Sequence, residues 1–259
     1  MAGVVVGTSG RRDTGAPVRW AADAARLRNA GLTLLHAWHE DVEVSLVLSG
    51  DAHPDLPAGT VSAAVHGRPA EALLAAAPDL LVLGGHAGAG HVSHVTAECL
   101  RGARCPVVVV PTPGRATPLR GRVVVAVEGA EESRRTLLWA AREADRRGAT
   151  LVVVHAWQSH LVGRGLRHPA ASVEAQGRVA SERLQSWVEA GLGHVHVERA
   201  ELHADHGGPL DEVLEHSWDA DLLVVGRSPA HAGLARIIHG AVDHDLCGLL
   251  PCPVAVVPT

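Results

Sequence analysis

Lysine, tyrosine and phenylalanine are absent from this sequence of 259 residues. Without lysine, the chain can offer neither the phosphate-binding lysine of a P-loop nor a lysine Schiff base or general base. Tryptophan alone makes up the aromatic content of 2%, and the net charge is -5. Proteins that bind nucleic acid present basic surfaces and stack bases on aromatic side chains, so nucleic acid is not expected as a partner.

Long apolar runs and paired cysteines are also scarce. No uninterrupted run reaches the roughly 18 apolar residues of a membrane span, and the first residues, MAGVVVG, do not have the pattern of a charged leader. The four cysteines include no CxxC pair and are typical of buried thiols in a reducing compartment. We therefore expect a cytoplasmic protein that does not contact a membrane.

What the sequence does contain is a repeat. Three kinds of segment occur twice in the same order: VVVGTSG and VVVAVEG at 4–10 and 123–129, HAW at 36–38 and 155–157, and CPVVVVPT and CPVAVVPT at 105–112 and 252–259. Matching segments in one order indicate two copies of one unit. We predict a first domain at 1–112, a linker at 113–120 and a second domain at 121–259.

Within each copy, short runs of Val and Leu alternate with helical patterns, which predicts a parallel sheet covered on both faces. The second copy also contains ASVEAQGRVASERLQSWVEAGLG, whose apolar spacing predicts an amphipathic helix of about five turns ending at Gly191. A strand is predicted after it, at His194–Leu202. The first copy has no comparable segment between Trp38 and Thr60, so its second helix is predicted to be missing or reduced.

Together these features resemble the universal stress protein family. The matching segments are a first strand ending in a small turn, a WAA helix, a strand closing in HAW, Gly-x-Pro before a short helix, DLLVLG or DLLVVG, and the CPV strand. The resemblance implies an α/β fold with two Rossmann-like (adenine nucleotide alpha hydrolase-like) domains in tandem, each with a five-stranded parallel sheet. It also implies that the two units pair through their last strands, as a pseudo-twofold dimer within one chain.

This pairing explains why the CPV segment occurs twice. A last strand at the edge of a sheet leaves a row of open backbone groups, and pairing the two edges covers both rows. Pro106 and Pro253 stand at strand starts, where a missing N–H group is tolerated. We predict that the strand at Val107–Val110 pairs with the strand at 253–257.

Nucleotide-binding members of the family carry a loop G-x2-G-x9-G-[ST] after the fourth strand, and its glycines let the backbone approach the phosphates. In the first copy, GGHAGAGHVSHVT keeps Gly84 but has Ala87 at the second glycine, and Ser9 stands where an acidic residue belongs. Hydroxyl groups survive at Ser93 and Thr96. The first copy is therefore the weaker candidate for nucleotide binding.

In the second copy, GRSPAHAGLARIIHGAVDH keeps two of the loop glycines, and Glu128 stands at the acidic position. Pro229 replaces the remaining glycine, Ala241 replaces the hydroxyl residue, and Asp243 puts a negative charge in the first turn of the next helix. ATP or a related adenine nucleotide is the predicted cofactor. The predicted binding residues are Val127, Glu128, Gly226, Arg227, Gly240, Ala241 and Val242.

Four interpretations of the function stay open. The chain acts as a non-catalytic stress-response regulator that binds an adenine nucleotide, as a degenerate interaction module without nucleotide, as a slow nucleotide hydrolase, or as a histidine-based metal buffer. No GxSxG serine, acid pair or activated cysteine marks a catalytic site, which favours a protein that is not an enzyme. The protein partner is unknown, and a homodimer is also open.

Eighteen histidines raise the question of a metal. His194 and His196 are predicted to share one strand face, with His203 and His206 just beyond. No HExxH or Cys/His finger spacing occurs, so these histidines are interpreted as scattered surface residues and no metal is predicted. The histidines of the two HAW segments, His36 and His155, are expected to lie near the crevice at the carboxyl ends of the strands, in a core or a hydrogen-bonding role.

Overall fold

A computed structural model describes residues 3–8, 15–38, 56–86, 93–112, 119–158, 170–193, 198–227 and 252–258. The chain divides into two compact units. The first is Met1–Pro118 with Ile238–Pro258, and the second is Leu119–Ile237 with Thr259. The domain boundaries at 112 and 121 stay predictions.

The first unit is a parallel sheet whose strands alternate with helices. Its elements are β1 (Val4–Thr8), α1 (Gly15–Arg28), β2 (Leu32–Trp38), β3 (Val61–His66), α2 (Pro69–Ala75), β4 (Leu80–His86), α3 (His94–Gly102), β5 (Val107–Thr112) and β10 (Val254–Pro258). The parallel strands follow the order β3-β2-β1-β4-β5. Successive residues of β1, Val4 to Val6, are all buried, as a strand covered on both faces requires.

The last strand of the chain pairs with β5. β10 runs antiparallel to β5, with Val254 opposite Val109, Ala255 opposite Val108 and Val256 opposite Val107. Val108 and Ala255 are both 0% exposed. The pairing of the two CPV strands that the family resemblance implies is confirmed, and β5 has a neighbouring strand on each side.

The second unit repeats the parallel arrangement. Its elements are β6 (Arg122–Ala126), α4 (Ala130–Arg147), β7 (Thr150–Trp157), α5 (Ala170–Leu192), β8 (Glu201–His206), α6 (Pro209–Ser217) and β9 (Leu222–Arg227). The strand order is β9-β6-β7-β8, and all three pairings are parallel. The predicted α/β fold with parallel sheets is confirmed.

The amphipathic helix predicted in the second copy is α5. It ends at Leu192, one residue past the predicted Gly191, and Gly193 follows with a φ of 85°, a left-handed conformation that glycine adopts readily after a helix. Leu184 and Val188 on its apolar face are buried. Residues 39–55 of the first copy lie outside the described residues, so the loss of a helix there stays a prediction.

The strand predicted at His194–Leu202 is wrong in position. The strand β8 is Glu201–His206, residues 198–200 form a turn and a bend before it, and residues 194–197 lie outside the described part of the chain. His and Val alternate at 194–197, which is the period of a strand. This alternation placed the predicted strand too near the N-terminus. The residues that pair are more polar, because β8 follows β7 at the end of the strand order and stays half exposed.

A buried ion pair lies within α4. The Glu143 side chain is 0% exposed, and its Oε1 accepts a hydrogen bond of 2.8 Å from Nε of Arg147, whose side chain is 12% exposed. A guanidinium nitrogen of Arg146 lies 3.7 Å from the other carboxylate oxygen. The helix ends at Arg147, and Gly148 caps it with a φ of 60°. A carboxylate this deeply buried depends on its cationic partners.

The described cysteines Cys99, Cys105 and Cys252 are thiols, as expected, and Cys247 lies outside the described residues. Cys99 and Cys252 are buried, whereas Cys105 is half-buried. Burial, with smaller contributions from Glu98 and Cys105, raises the pKa of the Cys99 thiol from 9.0 to about 12.

Alkylation of Cys99 at pH 8 is expected to be about 1,000-fold slower in the native protein than in the unfolded chain. Only the thiolate reacts, and its fraction falls about tenfold for each unit by which the pKa rises. Iodoacetamide labelling with and without denaturant, followed by peptide mass spectrometry, measures both rates. Equal rates would contradict the burial of this thiol.

None of the helices in the described part of the chain combines the length and the apolar composition that crossing a membrane requires.

Candidate functional site

The second unit contains a switch point, where the connections leave a strand in opposite directions along the sheet. From β6 the chain moves to β7 and β8 on one side, and it returns to β9 on the other side of β6. In open α/β sheets, ligands bind outside the carboxyl ends of the strands at such a point. The residues that follow β6 and those that end β9 are therefore the candidate site.

Val127 and Glu128 follow β6 directly. The N–H group of Val127 donates to the carbonyl oxygen of Val154 at 2.9 Å, which extends the contact with β7 by one residue. Val127 is buried and Glu128 is exposed. Gly226 and Arg227 end β9, and both are half-buried. The β6–β9 register places Val125 opposite Val224, so two residues further along Val127 is level with Gly226.

Ser133 holds the turn between β6 and α4. Its Oγ accepts hydrogen bonds from the N–H groups of Glu128 at 2.9 Å and Gly129 at 3.4 Å. These two backbone donors are therefore occupied and do not face a ligand. A phosphate at this switch point would have to be bound from the β9 side. Ser133 was not predicted as a site residue. Its place in the first turn of a helix could have indicated that its hydroxyl binds nearby backbone N–H groups.

His155 joins the carboxyl ends of β6 and β7. Its Nδ1 lies 3.0 Å from the carbonyl oxygen of Val127. A carbonyl oxygen only accepts, so Nδ1 carries a proton and donates it. The imidazole also packs edge-on against Trp187 of α5, with ring centroids 5.0 Å apart. The hydrogen-bonding role predicted for the HAW histidine is confirmed.

The first unit has the same histidine–carbonyl contact, but there a serine side chain caps a helix. His36 Nδ1 lies 2.8 Å from the carbonyl oxygen of Thr8, the residue at the end of β1. Ser93 is the N-cap of α3: its Oγ accepts from the N–H group of Thr96 at 3.1 Å and lies 2.9 Å from the Thr96 hydroxyl. The hydroxyl groups of Ser93 and Thr96 therefore lie within hydrogen-bond distance of each other, and the Ser93 hydroxyl also caps the helix.

The structure brings four of the seven predicted binding residues to one switch point: Val127, Glu128, Gly226 and Arg227. The other three, Gly240, Ala241 and Val242, lie outside the described residues, as do Ser9 and Ala87 of the first copy. The assignment of these side chains to a nucleotide stays a prediction.

Comparisons with known proteins agree with this architecture. The model of the "Universal stress protein family" matches residues 120–258. Universal stress protein Rv2623 of Mycobacterium tuberculosis is 30% identical over 98% of this chain and 95% of that protein. Universal stress protein Rv2005c of the same species is 29% identical over 98% of this chain and 96% of that protein.

Solved structures show the same fold at lower identity. A structure from Pseudomonas aeruginosa UCBPP-PA14 matches with a TM-score of 0.70 and 20% identity, over 100% of this chain and 93% of that chain. A universal stress protein from Archaeoglobus fulgidus matches with a TM-score of 0.65 and 14% identity, over 98% of this chain and 96% of that chain.

Proposed function

This chain belongs to the universal stress protein family, and we propose that it is a regulatory protein that binds ATP or a related adenine nucleotide in its second unit. Binding, without turnover, is the proposed activity. The β6–β9 switch point is the observation that carries the proposal, because it combines a buried strand end, an exposed carboxylate and a cation at adjacent strand ends.

Each residue has a distinct proposed role. Val127 offers an apolar contact for the adenine, and the Glu128 carboxylate accepts hydrogen bonds from ribose hydroxyls. The Arg227 guanidinium faces the phosphates, and the missing side chain of Gly226 lets them approach the backbone. Gly240, Ala241 and Val242 stay sequence predictions for the phosphate end, because they lie outside the described residues and within the residue range of the first unit.

The first unit is the weaker candidate on structural grounds. A hydroxyl that caps its own helix has to give up that cap before it can donate to a phosphate, and N-cap loss costs about 0.5–2 kcal/mol. Both Ser93 and Thr96 take part in this closed arrangement. The proposal therefore assigns the nucleotide to the second unit.

We expect full-length protein to release or absorb heat when titrated with ATP, and Gly226→Asp to weaken binding by about fivefold or more, since a like charge at 4 Å costs about 1–4 kcal/mol. Gly84→Asp is the matched control, because Gly84 occupies the same position in DLLVLG that Gly226 occupies in DLLVVG. Isothermal titration calorimetry measures all three proteins, with circular dichroism to verify folding.

Two further variants separate the roles. Arg227→Gln should weaken ATP more than adenosine, whereas Glu128→Gln should weaken both alike. Loss of binding in Gly84→Asp but not in Gly226→Asp would move the site to the first unit. If about 1 mM ATP produces no heat, the binding free energy is weaker than about 4 kcal/mol. That result would reject the nucleotide role and favour the interaction module. Steady phosphate release would instead support a slow hydrolase.

We also propose that the protein acts in the cytoplasm, since the thiol state of Cys99, Cys105 and Cys252 suits a reducing compartment. We further propose that the protein binds a protein partner or a second copy of itself.

A further inference from the structure

Two histidines and one aspartate lie close together at β8, the strand that follows β7 at the end of the second unit's strand order. His203 and Asp205 lie two residues apart on β8, which places both side chains on one face of the strand. His216 lies in the last turn of α6, the helix that follows β8. One ligand atom from each of the three residues lies within 4.8 Å of the other two. We call this set the β8–α6 cluster.

The contacts within the cluster are close. Nε2 of His216 lies 2.9 Å from Oδ2 of Asp205. The imidazole rings of His203 and His216 have centroids 4.4 Å apart and planes inclined by 47°. All three residues are half-buried, so they are held by the fold and remain within reach of an ion from solution.

One nitrogen of the cluster has no partner in the described part of the chain. Nε2 of His203 is buried from solvent and makes no hydrogen bond. Its nearest carboxylate oxygen, Oε2 of Glu201, lies 3.9 Å away, too far for a hydrogen bond, and bonds at 2.9 Å to Arg122 instead. Buried polar atoms are almost always satisfied, so an exception calls for an explanation, and an ion is one.

We propose that His203, Asp205 and His216 bind a divalent transition-metal ion, with Zn²⁺ as the best match. Two imidazole nitrogens and one carboxylate oxygen are ligands that Zn²⁺ takes readily, and the carboxylate offsets part of its charge. Three protein ligands leave the fourth position of a tetrahedral zinc ion to water. We take Nε2 as the ligand atom of His203, because an ion bound there would give this buried nitrogen a partner.

The distances suit this ion after a small adjustment. Tetrahedral ligands at about 2.0–2.1 Å from zinc are about 3.3 Å from one another. The Asp205–His216 pair, at 2.9 Å, therefore opens slightly, and the widest pair, within 4.8 Å, closes by side-chain rotation. The backbone positions on β8 and α6 stay in place.

The first unit provides an internal comparison. Val152 of β7 pairs with Glu201 of β8, and the equivalent residue of β2, Thr33, pairs with Val61 of β3, so the two strands correspond residue by residue. The first unit therefore has Ala63 where the cluster has His203, and Val65 where it has Asp205. At the end of the helix, Ala76 stands where His216 stands. All three ligands are absent together.

The neighbouring aromatic contact is present in both units. Trp38 packs on His66 with centroids 4.6 Å apart, and Trp157 packs on His206 with centroids 4.5 Å apart. The strand–helix unit therefore forms with either set of residues, and its packing does not require His203, Asp205 and His216. This difference supports a ligand-binding role for the cluster.

The experiment uses the full chain without a histidine tag, stripped with a chelator and titrated with Zn²⁺ alone by isothermal titration calorimetry. We expect one tight site in the wild type. His203→Ala and His216→Ala should each weaken it by more than the roughly 10- to 100-fold that loss of an outer partner costs. Asp205→Asn, which keeps the size of the side chain, should weaken it too.

Two controls make the result specific. His206→Ala removes one histidine from the same strand without touching the cluster, so it should bind Zn²⁺ like the wild type. The triple variant His203→Ala, Asp205→Val, His216→Ala carries the residues of the first unit at all three positions, so it should fold and lose the site. Wild-type protein loaded with Co²⁺ should show the visible absorption bands of a four-coordinate ion.

Three outcomes would overturn the proposal: equal Zn²⁺ affinity of the wild type and the triple variant, equal loss in His206→Ala, or no four-coordinate Co²⁺ spectrum in the wild type. The first two would assign binding to scattered surface histidines. Because no nucleotide is present in this titration, its result is independent of the ATP measurement.

Discussion

A chain carrying Val108→Cys and Ala255→Cys is expected to form a disulfide under mild oxidation and to gain about 4–5 kcal/mol in free energy of unfolding at most. These two residues face each other in the antiparallel β5–β10 pair. Opposite residues of such a pair have Cα atoms about 4.5 or 5.5 Å apart, and both distances fall within disulfide geometry. The gain is large because the closed loop, from residue 108 to residue 255, is longer than 100 residues and loses much entropy in the unfolded chain.

The matched control is Val108→Cys with Val257→Cys. Residues 255 and 257 share one strand face, but residue 257 lies two positions out of register, about 7 Å further along β10. Mass spectrometry of the cross-linked peptides and urea unfolding with and without reductant measure both chains. A crosslink in the control chain and none in the first would show a register shifted by two residues, and no crosslink in either would contradict the strand pairing.

Replacing Arg147 by Met is expected to cost about 3–5 kcal/mol, because it removes the direct partner of a fully buried carboxylate. Glu143 has 0% side-chain exposure, so water cannot take the place of the guanidinium. Glu143→Met should cost a similar amount, since it leaves the largely buried Arg147 cation without this carboxylate. Urea unfolding monitored by circular dichroism measures each change.

The double variant Glu143→Met, Arg147→Met sharpens this prediction. Removing both charges also removes the desolvation cost of both, so the double variant should lie within about 1–2 kcal/mol of the wild type. Arg142→Met, an exposed position on the same helix, is the control and should change stability by less than about 0.5 kcal/mol. If the costs of the two single variants simply add, the pair does not act as a coupled unit.

The sheet could be predicted from the sequence because each of its determinants is local or repeated. Runs such as VVVG and DLLVVG predict strands buried on both faces. The β5–β10 pair was implied by the resemblance to universal stress proteins, and the two CPV segments fit it because pairing covers an edge of valines. The helix α5 followed from its apolar spacing, but its 23 residues make it longer than the predicted five turns, and it ends at Leu192 and not at Gly191.

Side-chain partners could not be predicted in the same way. The hydroxyls of Ser93 and Thr96 looked available for a ligand, but an N-cap is decided by the turn geometry, and the structure uses both in that cap. The position of β8 was missed because the His-Val alternation at 194–197 has the period of a strand and the residues that actually pair are polar. The β8–α6 cluster depends on His216 returning to the strand through a Gly-Gly-Pro turn, which no spacing rule captures.

The contact between His155 and Trp187 gives the second unit an optical probe of its own. One imidazole connects the carbonyl oxygen of Val127 to an indole on the long helix α5. A molecule that binds beside Val127 is therefore expected to change the surroundings of the Trp187 indole through this one imidazole. With no tyrosine in the chain, ultraviolet emission comes from the six tryptophans alone, and Trp187 is the one expected to respond, without an attached dye.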